Sequence, residues 1–153
     1  MAHVELSLTE AFVPQATGTS ADHESDSFAN WSASVSLAAE ACLLIDLRTT
    51  ITAISDSCCT LLGLSAPAEV VGHPLLDGEL RLLDFTAARG ELNEQEVDKI
   101  PPLLALSSGR LTRGLLRVQA GTSPTTDATV DAISTPLLVA GAVAGSLTFF
   151  AKV

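Results

Sequence analysis

The stretch ACLLIDLRTTITAISDSCCTLLG, residues 41–63, decides the fold. It contains two β-rich runs, at residues 41–47 and 50–54, and the polar pair between them predicts a hairpin turn. Ser55 then offers a side-chain oxygen to the free amides of a short helix, which Gly63 would end in a left-handed conformation. The stretch therefore predicts a strand hairpin that leads directly into a helix.

Further short helices are predicted downstream of the hairpin. PAEVVG begins at Pro67, a residue favoured in the first turn of a helix, and LLALSSG follows the pair Pro101-Pro102 and ends at Gly109. Between them, the segment 75–93 has no clear period, and NEQEVDKI is typical of an acidic helical turn. The chain then changes character to three predicted strands, at residues 111–120, 128–138 and 142–151.

This order of elements predicts the fold class. Two strands, several short helices and three more strands indicate an α+β domain with a five-stranded antiparallel sheet and short helices on one face. A helix precedes the sheet, because Phe28, Trp31 and Val35 recur at helical spacing within a predicted helix at residues 27–40. Residues 1–26 are polar and acidic without a period, which predicts a flexible arm before one domain at 27–153.

Composition and charge exclude several classes of partner. The 153 residues carry a formal charge of −10 with only eight Lys and Arg, so we expect no nucleic-acid partner. The longest apolar stretch, residues 136–151, is too short to span a bilayer comfortably, and the N-terminus lacks the pattern of a signal peptide. We therefore expect a cytoplasmic protein without a membrane partner and with reduced cysteines.

Four segments of the chain resemble the PAS family. They are ACLLIDLRTTITAISDSCCTLLGLS, PAEVVGHPLLD, PPLLALSSGRLTRGLLRV and STPLLVAGAVAGSLTFFAKV. The resemblance extends from residue 41 to the end of the chain, although the family often has asparagine where Ser55 stands. It implies a PAS fold and a sensor or interaction role in bacterial signalling, and the high Ala, Leu, Thr and Gly content is typical of an actinobacterial source.

No set of residues predicts catalysis or a metal site. His3, His23 and His73 are far apart in the sequence, which makes a three-ligand zinc site improbable. PAS domains can hold haem through a helix histidine, but the place of His73 between Gly72 and a proline favours a surface turn over a haem ligand. The Asn-Cys-Arg motif of related flavin-binding domains is absent. We expect a non-enzymatic protein with no metal, and we predict no cofactor.

The cysteines and arginines leave alternatives open. Cys58 and Cys59 are expected to pack in the first short helix, with redox sensing by Cys58 as the alternative. Arg110, Arg113 and Arg117 form the one local positive cluster of this acidic sequence. A solvated face of the sheet is the favoured interpretation, and a site for a small anionic ligand or an acidic partner is the other.

The sequence supports one leading function and two others. The leading hypothesis is a non-catalytic signalling module that binds a small apolar ligand or a protein partner. The stripe of Phe28, Trp31 and Val35 is the candidate interface for a homodimer or partner, unless its helix folds back onto its own sheet. The alternatives are a ligand-free structural dimerisation module and a small enzyme of α+β fold.

Overall fold

The computed structural model describes residues 20–119 and 127–153 of the chain, with side chains from residue 27 onward. Five helices occur in this part. They are α1 Ser20–Leu37, α2 Asp56–Leu62, α3 Pro67–Val70, α4 Glu94–Val97 and α5 Pro101–Ser108. The strands are β1 Cys42–Asp46, β2 Ile51–Ile54, β3 Leu82–Leu83, β4 Thr112–Gln119, β5 Asp127–Val139 and β6 Ala142–Lys152.

The strands form one antiparallel sheet in the order β2-β1-β6-β5-β4-β3. The α+β class and the antiparallel sheet are confirmed, but the sheet has six strands rather than the predicted five. The additional strand, β3, has two residues, Leu82 and Leu83, which pair with Val118 and Arg117 of β4. A strand of two residues is too short to show an alternating pattern in the sequence, so it is recognised only by its pairing with β4.

The hydrophobic core lies between the sheet and the four helices α2–α5. Strand β1 contributes Leu43 and Ile45, β4 contributes Leu116 and Val118, and all four side chains are buried there. Two glycines, Gly63 and Gly109, end α2 and α5 with positive φ angles of 72° and 66°, as the sequence predicted. We call this side of the sheet the inner face and the opposite side the outer face.

Ser55 joins the hairpin to the first helix of the core. Its hydroxyl oxygen accepts hydrogen bonds from the amides of Cys42 at 3.0 Å and of Cys58 at 3.3 Å. The hydroxyl also donates to the carbonyl oxygen of Glu40 at 2.6 Å. The predicted helix cap is confirmed, and the same hydroxyl ties the start of β1 to the start of α2.

Helix α1 differs from its predicted bounds of 27–40 at both ends. It begins at Ser20, so residues 20–26 of the predicted arm are helical, whereas residues 1–19 lie outside the described part. Its first residues carry no apolar period, which is why the sequence did not mark the start. The helix ends at Leu37 because the carbonyls of Ala39 and Glu40 accept bonds from Ser57 and Ser55 in the turn into β1.

We predict that Ser55→Ala lowers the free energy of unfolding by about 1–3 kcal/mol, because the amide of Cys42 loses its side-chain acceptor and α2 loses its cap. Urea unfolding followed by circular dichroism measures the change. Thr60→Ala is the control, since the Thr60 hydroxyl lies on the exposed side of the same helix and donates to the carbonyl of Asp56, and we expect a change within about 0.5 kcal/mol. Equal losses in the two variants would contradict the proposed role of Ser55.

Candidate functional site

Helix α1 lies on the outer face of the sheet. Val35 is buried and Phe28 is half-buried in a small cluster with residues of the sheet. The sheet residues of this cluster are Cys42, Leu44, Ala53, Leu137 and Leu147. The helix therefore covers the β2-β1-β6 side of the outer face, and two of the three residues of the predicted stripe hold it there.

Gly145 of β6 lets α1 approach the sheet closely. A Cβ atom at this position would lie 3.0 Å from the ring of Phe28 and would also collide with the carbonyl oxygen of Ile45 on β1. Any larger residue would force the ring or the strand to move. The requirement for glycine at position 145 is thus the close approach of the Phe28 ring and of β1.

Trp31, the third member of the stripe, is in a different environment. It is 44% exposed, whereas Val35, one turn further along the helix, is buried in the cluster on the sheet. The structure thus separates the predicted set into two residues that attach the helix and one aromatic side chain that remains available for contact.

A second group of exposed apolar residues lies on the outer face of β4, β5 and β6, and the sequence analysis missed it. Ile133 and Phe149 are direct cross-strand partners, and Leu115 lies diagonally beside Ile133. Their exposed fractions are 36%, 44% and 55%, respectively. The alternation of β4 could have indicated that Leu115 is exposed, because it places Leu115 on the same face of the strand as Arg113 and Arg117. We call Leu115, Ile133 and Phe149 the outer-face patch.

The predicted arginine cluster is divided by internal ion pairs. Arg113 binds Asp131 with two hydrogen bonds of 2.6 and 3.1 Å, and this pairing lowers the pKa of the Asp131 carboxyl. Arg117 contacts Asp127 at 3.2 Å and donates to the carbonyl oxygen of Asp84. Two of the three guanidinium groups are thus already paired with carboxylates, which weakens the case for an anion site here.

All three cysteines are buried with free thiols. Burial raises the pKa of each, and the pKa of Cys59 reaches about 11 with a further rise from nearby Asp56. A raised pKa disfavours the thiolate, which is the reactive form. Cys58 is raised furthest of all, mainly by burial, so its environment is the opposite of that expected for a redox-sensing thiol.

His73 is exposed in the turn after α3, at the rim of an open cleft of about 240 Å³. A neighbouring cleft of about 420 Å³ lies towards α4 and shares Asp77 and Leu80 with the first. The floor of the larger cleft includes Leu82 and Val97, and its rim is acidic. Within residues 20–119 and 127–153, no three His, Cys, Asp or Glu side chains are grouped so that they could hold a metal ion.

None of the helices in the described part of the chain is long and apolar enough to cross a membrane.

No protein-family model matches the chain, and no curated protein matches it. Several solved structures do match.

A LOV protein from Rhodobacter sphaeroides superposes with a TM-score of 0.61 and 15% identity, over 84% of this chain and 68% of that one. A PAS domain from Colwellia psychrerythraea gives a TM-score of 0.56 and 14% identity, over 82% and 96% of the two chains. A structure described as VqmA bound to DPO gives a TM-score of 0.57 and 14% identity, over 82% of this chain and 57% of that one. All three are similar to this chain in fold, at sequence identities of 14–15%.

We predict that the three thiols of the folded protein react slowly with Ellman's reagent at about pH 8, at least tenfold more slowly than in urea, because burial holds them protonated and out of reach. Absorbance at 412 nm counts the thiols that react. One thiol that reacts in the folded protein at the rate of a free thiol would contradict inert packing and would restore the redox alternative.

Proposed function

We propose, from the PAS fold that this chain adopts, that it is a non-catalytic cytoplasmic signalling module, which acts by contacts with a protein partner or a second copy. The similar structures support this class of role, since they include a PAS domain of a two-component sensor histidine kinase and VqmA, described as a LuxR-type receptor. Free, buried thiols suit a reducing compartment. The output is a change of contacts.

One observation carries the proposal, namely the position of Trp31 on α1. A large apolar side chain such as Trp31 is unusual at the surface of a chain with only 4% aromatic residues. Trp is also enriched among the residues that contribute most to binding at interfaces. Phe28 and Val35 attach the same helix to the sheet, so the indole of Trp31 is presented from a defined position. The predicted stripe therefore acts as an anchored contact element.

A signal can alter this contact through the packing of α1. Within the residues whose side chains are described, Phe28 and Val35 attach the helix to the outer face, and Ala38 packs beside them just after the helix ends. A partner that binds one arrangement of α1 more tightly than another shifts the balance between them by its difference in affinity. Phe28 and Val35 hold α1 in one position in the unbound domain, and binding at Trp31 can shift the helix to another.

We predict that the emission maximum of Trp31 shifts to shorter wavelength as the protein concentration rises from about 10 nM to about 100 µM, because association removes the indole from water. Trp31 is the one tryptophan of the sequence, so the signal has a single source. The thiol-free variant Cys42→Ala/Cys58→Ala/Cys59→Ala, if folded, excludes oxidation as the cause. Emission that stays constant over this range would contradict a self-contact through Trp31.

A second candidate function, the binding of a small ligand, is favoured by the two adjoining clefts. The larger cleft, about 420 Å³, is within the usual range of ligand sites, and it combines Leu and Val side chains with Asn93 and Arg81. The similar structure of VqmA is described as bound to DPO. A ligand here would contact α4 and β3, the short elements at the edge of the sheet.

We predict that a ligand of this kind would appear as excess mass when protein purified from its native source is compared by native and denaturing mass spectrometry. Leu82→Trp, which fills the floor of the larger cleft, should remove the excess mass while circular dichroism stays unchanged. Equal masses in the two conditions would contradict the ligand hypothesis and would favour a ligand-free module with a filled core.

A further inference from the structure

We propose that the edge of strand β4 at residues 112–116 binds an extended segment of a partner protein as an additional strand of the sheet. The segment that fits this edge has alternating apolar and acidic residues. The contact goes beyond the one through Trp31, because it uses the backbone of β4 and does not require α1. Three properties of the edge support the proposal, namely its free hydrogen-bonding groups, its shape and its charge.

Strand β4 has a partner along only part of its outward edge. Strand β3 covers β4 as far as Arg117, and the amide of Gln119 donates to the carbonyl oxygen of Arg81. At Asp84 the chain turns away from β4, because the amide of Asp84 bonds to a later part of the same loop. Residues 112–116 therefore have β5 on one side and, in the described part of the chain, no strand on the other.

The direction of the free backbone groups follows from the alternation of a strand. The amide and the carbonyl of one residue point to one neighbouring strand, and those of the next residue point to the other. Gln119 points towards β3, so Arg113 and Leu115, which are an even number of residues away, point the same way. Neither of them makes a backbone bond to a described residue on that side. Two amides and two carbonyls are thus free on this edge, and an unpaired edge is a template for an added strand.

The shape of the edge favours apolar residues at alternate positions of the added strand. A groove of about 250 Å³ lies between β4 and the region of α4 and α5, and its walls include Ile100 and Leu104. Gly114 lies at the centre of the free stretch, and the nearest atom to a Cβ built there belongs to the ring of Pro101, at 3.4 Å. An apolar side chain that the added strand places opposite Gly114 would therefore have space beside Pro101 and would contact the groove.

The charge of the edge differs from that of the rest of the chain. Lys99 and Arg113 line the groove, and Arg110 is exposed in the turn before β4. Neither Lys99 nor Arg110 forms an ion pair with a described residue. With Glu96 of the groove and Asp131, the partner of Arg113, three positive and two negative charges leave a local charge of +1 in a chain of −10. Acidic residues are therefore favoured at the positions of the added strand that lie beside Arg113.

The walls of the groove favour a single segment over the edge of a second copy. A second copy would bring the same wall beside its own β4 and the same positive charges, whereas a segment brings one strand and its complementary charge. The free stretch is short, and the interface is accordingly small. We therefore expect a reversible contact with a dissociation constant of about 10–500 µM.

A labelled synthetic peptide of alternating glutamate and valine tests the proposal with the full chain. Fluorescence anisotropy should give a dissociation constant in the range above. The same peptide with N-methylated backbone amides should bind about tenfold more weakly or worse, because the methyl groups remove its hydrogen-bond donors. The change is made in the peptide, so the fold of the protein is not affected.

Hydrogen exchange followed by NMR locates the contact. The amides of Arg113 and Leu115 should exchange fast in the free chain, because they have no partner, and about tenfold more slowly when the glutamate–valine peptide is bound. A lysine–valine peptide of equal length should not protect these amides, since its charge does not suit this edge.

Variants of the protein test the backbone and the charge separately. Leu115→Pro removes one outward amide without taking a bond from the ladder between β4 and β5, and it should weaken binding about tenfold. Arg110→Gln should weaken binding about two- to fivefold. Arg48→Gln is the matched control, because Arg48 is exposed in the turn between β1 and β2, two strands away from β4, and binding should stay unaltered. Circular dichroism verifies that each variant is folded.

Four results would overturn the proposal. Slow exchange of both amides in the free chain would mean that the edge is already paired. Binding that N-methylation leaves unchanged, or that protects neither amide, would exclude an added strand, and the absence of binding at about 1 mM peptide would exclude the site. Equal protection by the lysine–valine peptide would overturn the acidic class of partner. The emission of Trp31 against protein concentration is measured without peptide, so failure of the contact through Trp31 and failure of this edge are separate results.

Discussion

The central constraint in this structure is that strand β1 is buried on both faces. Leu43 and Ile45 face the core under the short helices, while Cys42 and Leu44 face the opposite way and are equally buried. A strand with apolar side chains on both sides needs cover on both sides. The hairpin of β1 and β2 therefore requires α1, because no other helix in the described part of the chain lies on the outer face.

The inner face is specified partly by polar contacts. Ser134 and Thr148 are buried partners across β5 and β6 and share a hydrogen bond of 2.6 Å. Ser146 donates to the carbonyl oxygen of Pro102, and Thr112 donates to that of Pro101, so the first turn of α5 is fastened to the sheet at two points. Satisfied buried polar groups of this kind define one arrangement of helix and sheet.

The two faces of the sheet differ in how their side chains are packed. The inner face holds a close-packed core, in which the thiols of Cys58 and Cys59 are buried and protonated. The outer face holds the exposed apolar side chains that are available for recognition. Trp31 and Phe149 belong to the outer face, and both are exposed, although Phe149 lies between the buried residues Thr148 and Phe150. Function in this fold is therefore best sought on the outer face and in the clefts beside β3.

The sequence by itself determined the elements whose signals are local. Alternation, the cap at Ser55 and the left-handed glycines predicted the hairpin, α2, α5 and the last three strands, because the conformation of each depends on residues next to it in the chain. Only the tertiary structure decided that β3 is a strand, that α1 ends at Leu37 and that Arg113 is paired with Asp131. It also decided which apolar residues remain exposed. The position of α1 on the outer face is set by contacts between residues more than a hundred positions apart, such as Phe28 and Gly145.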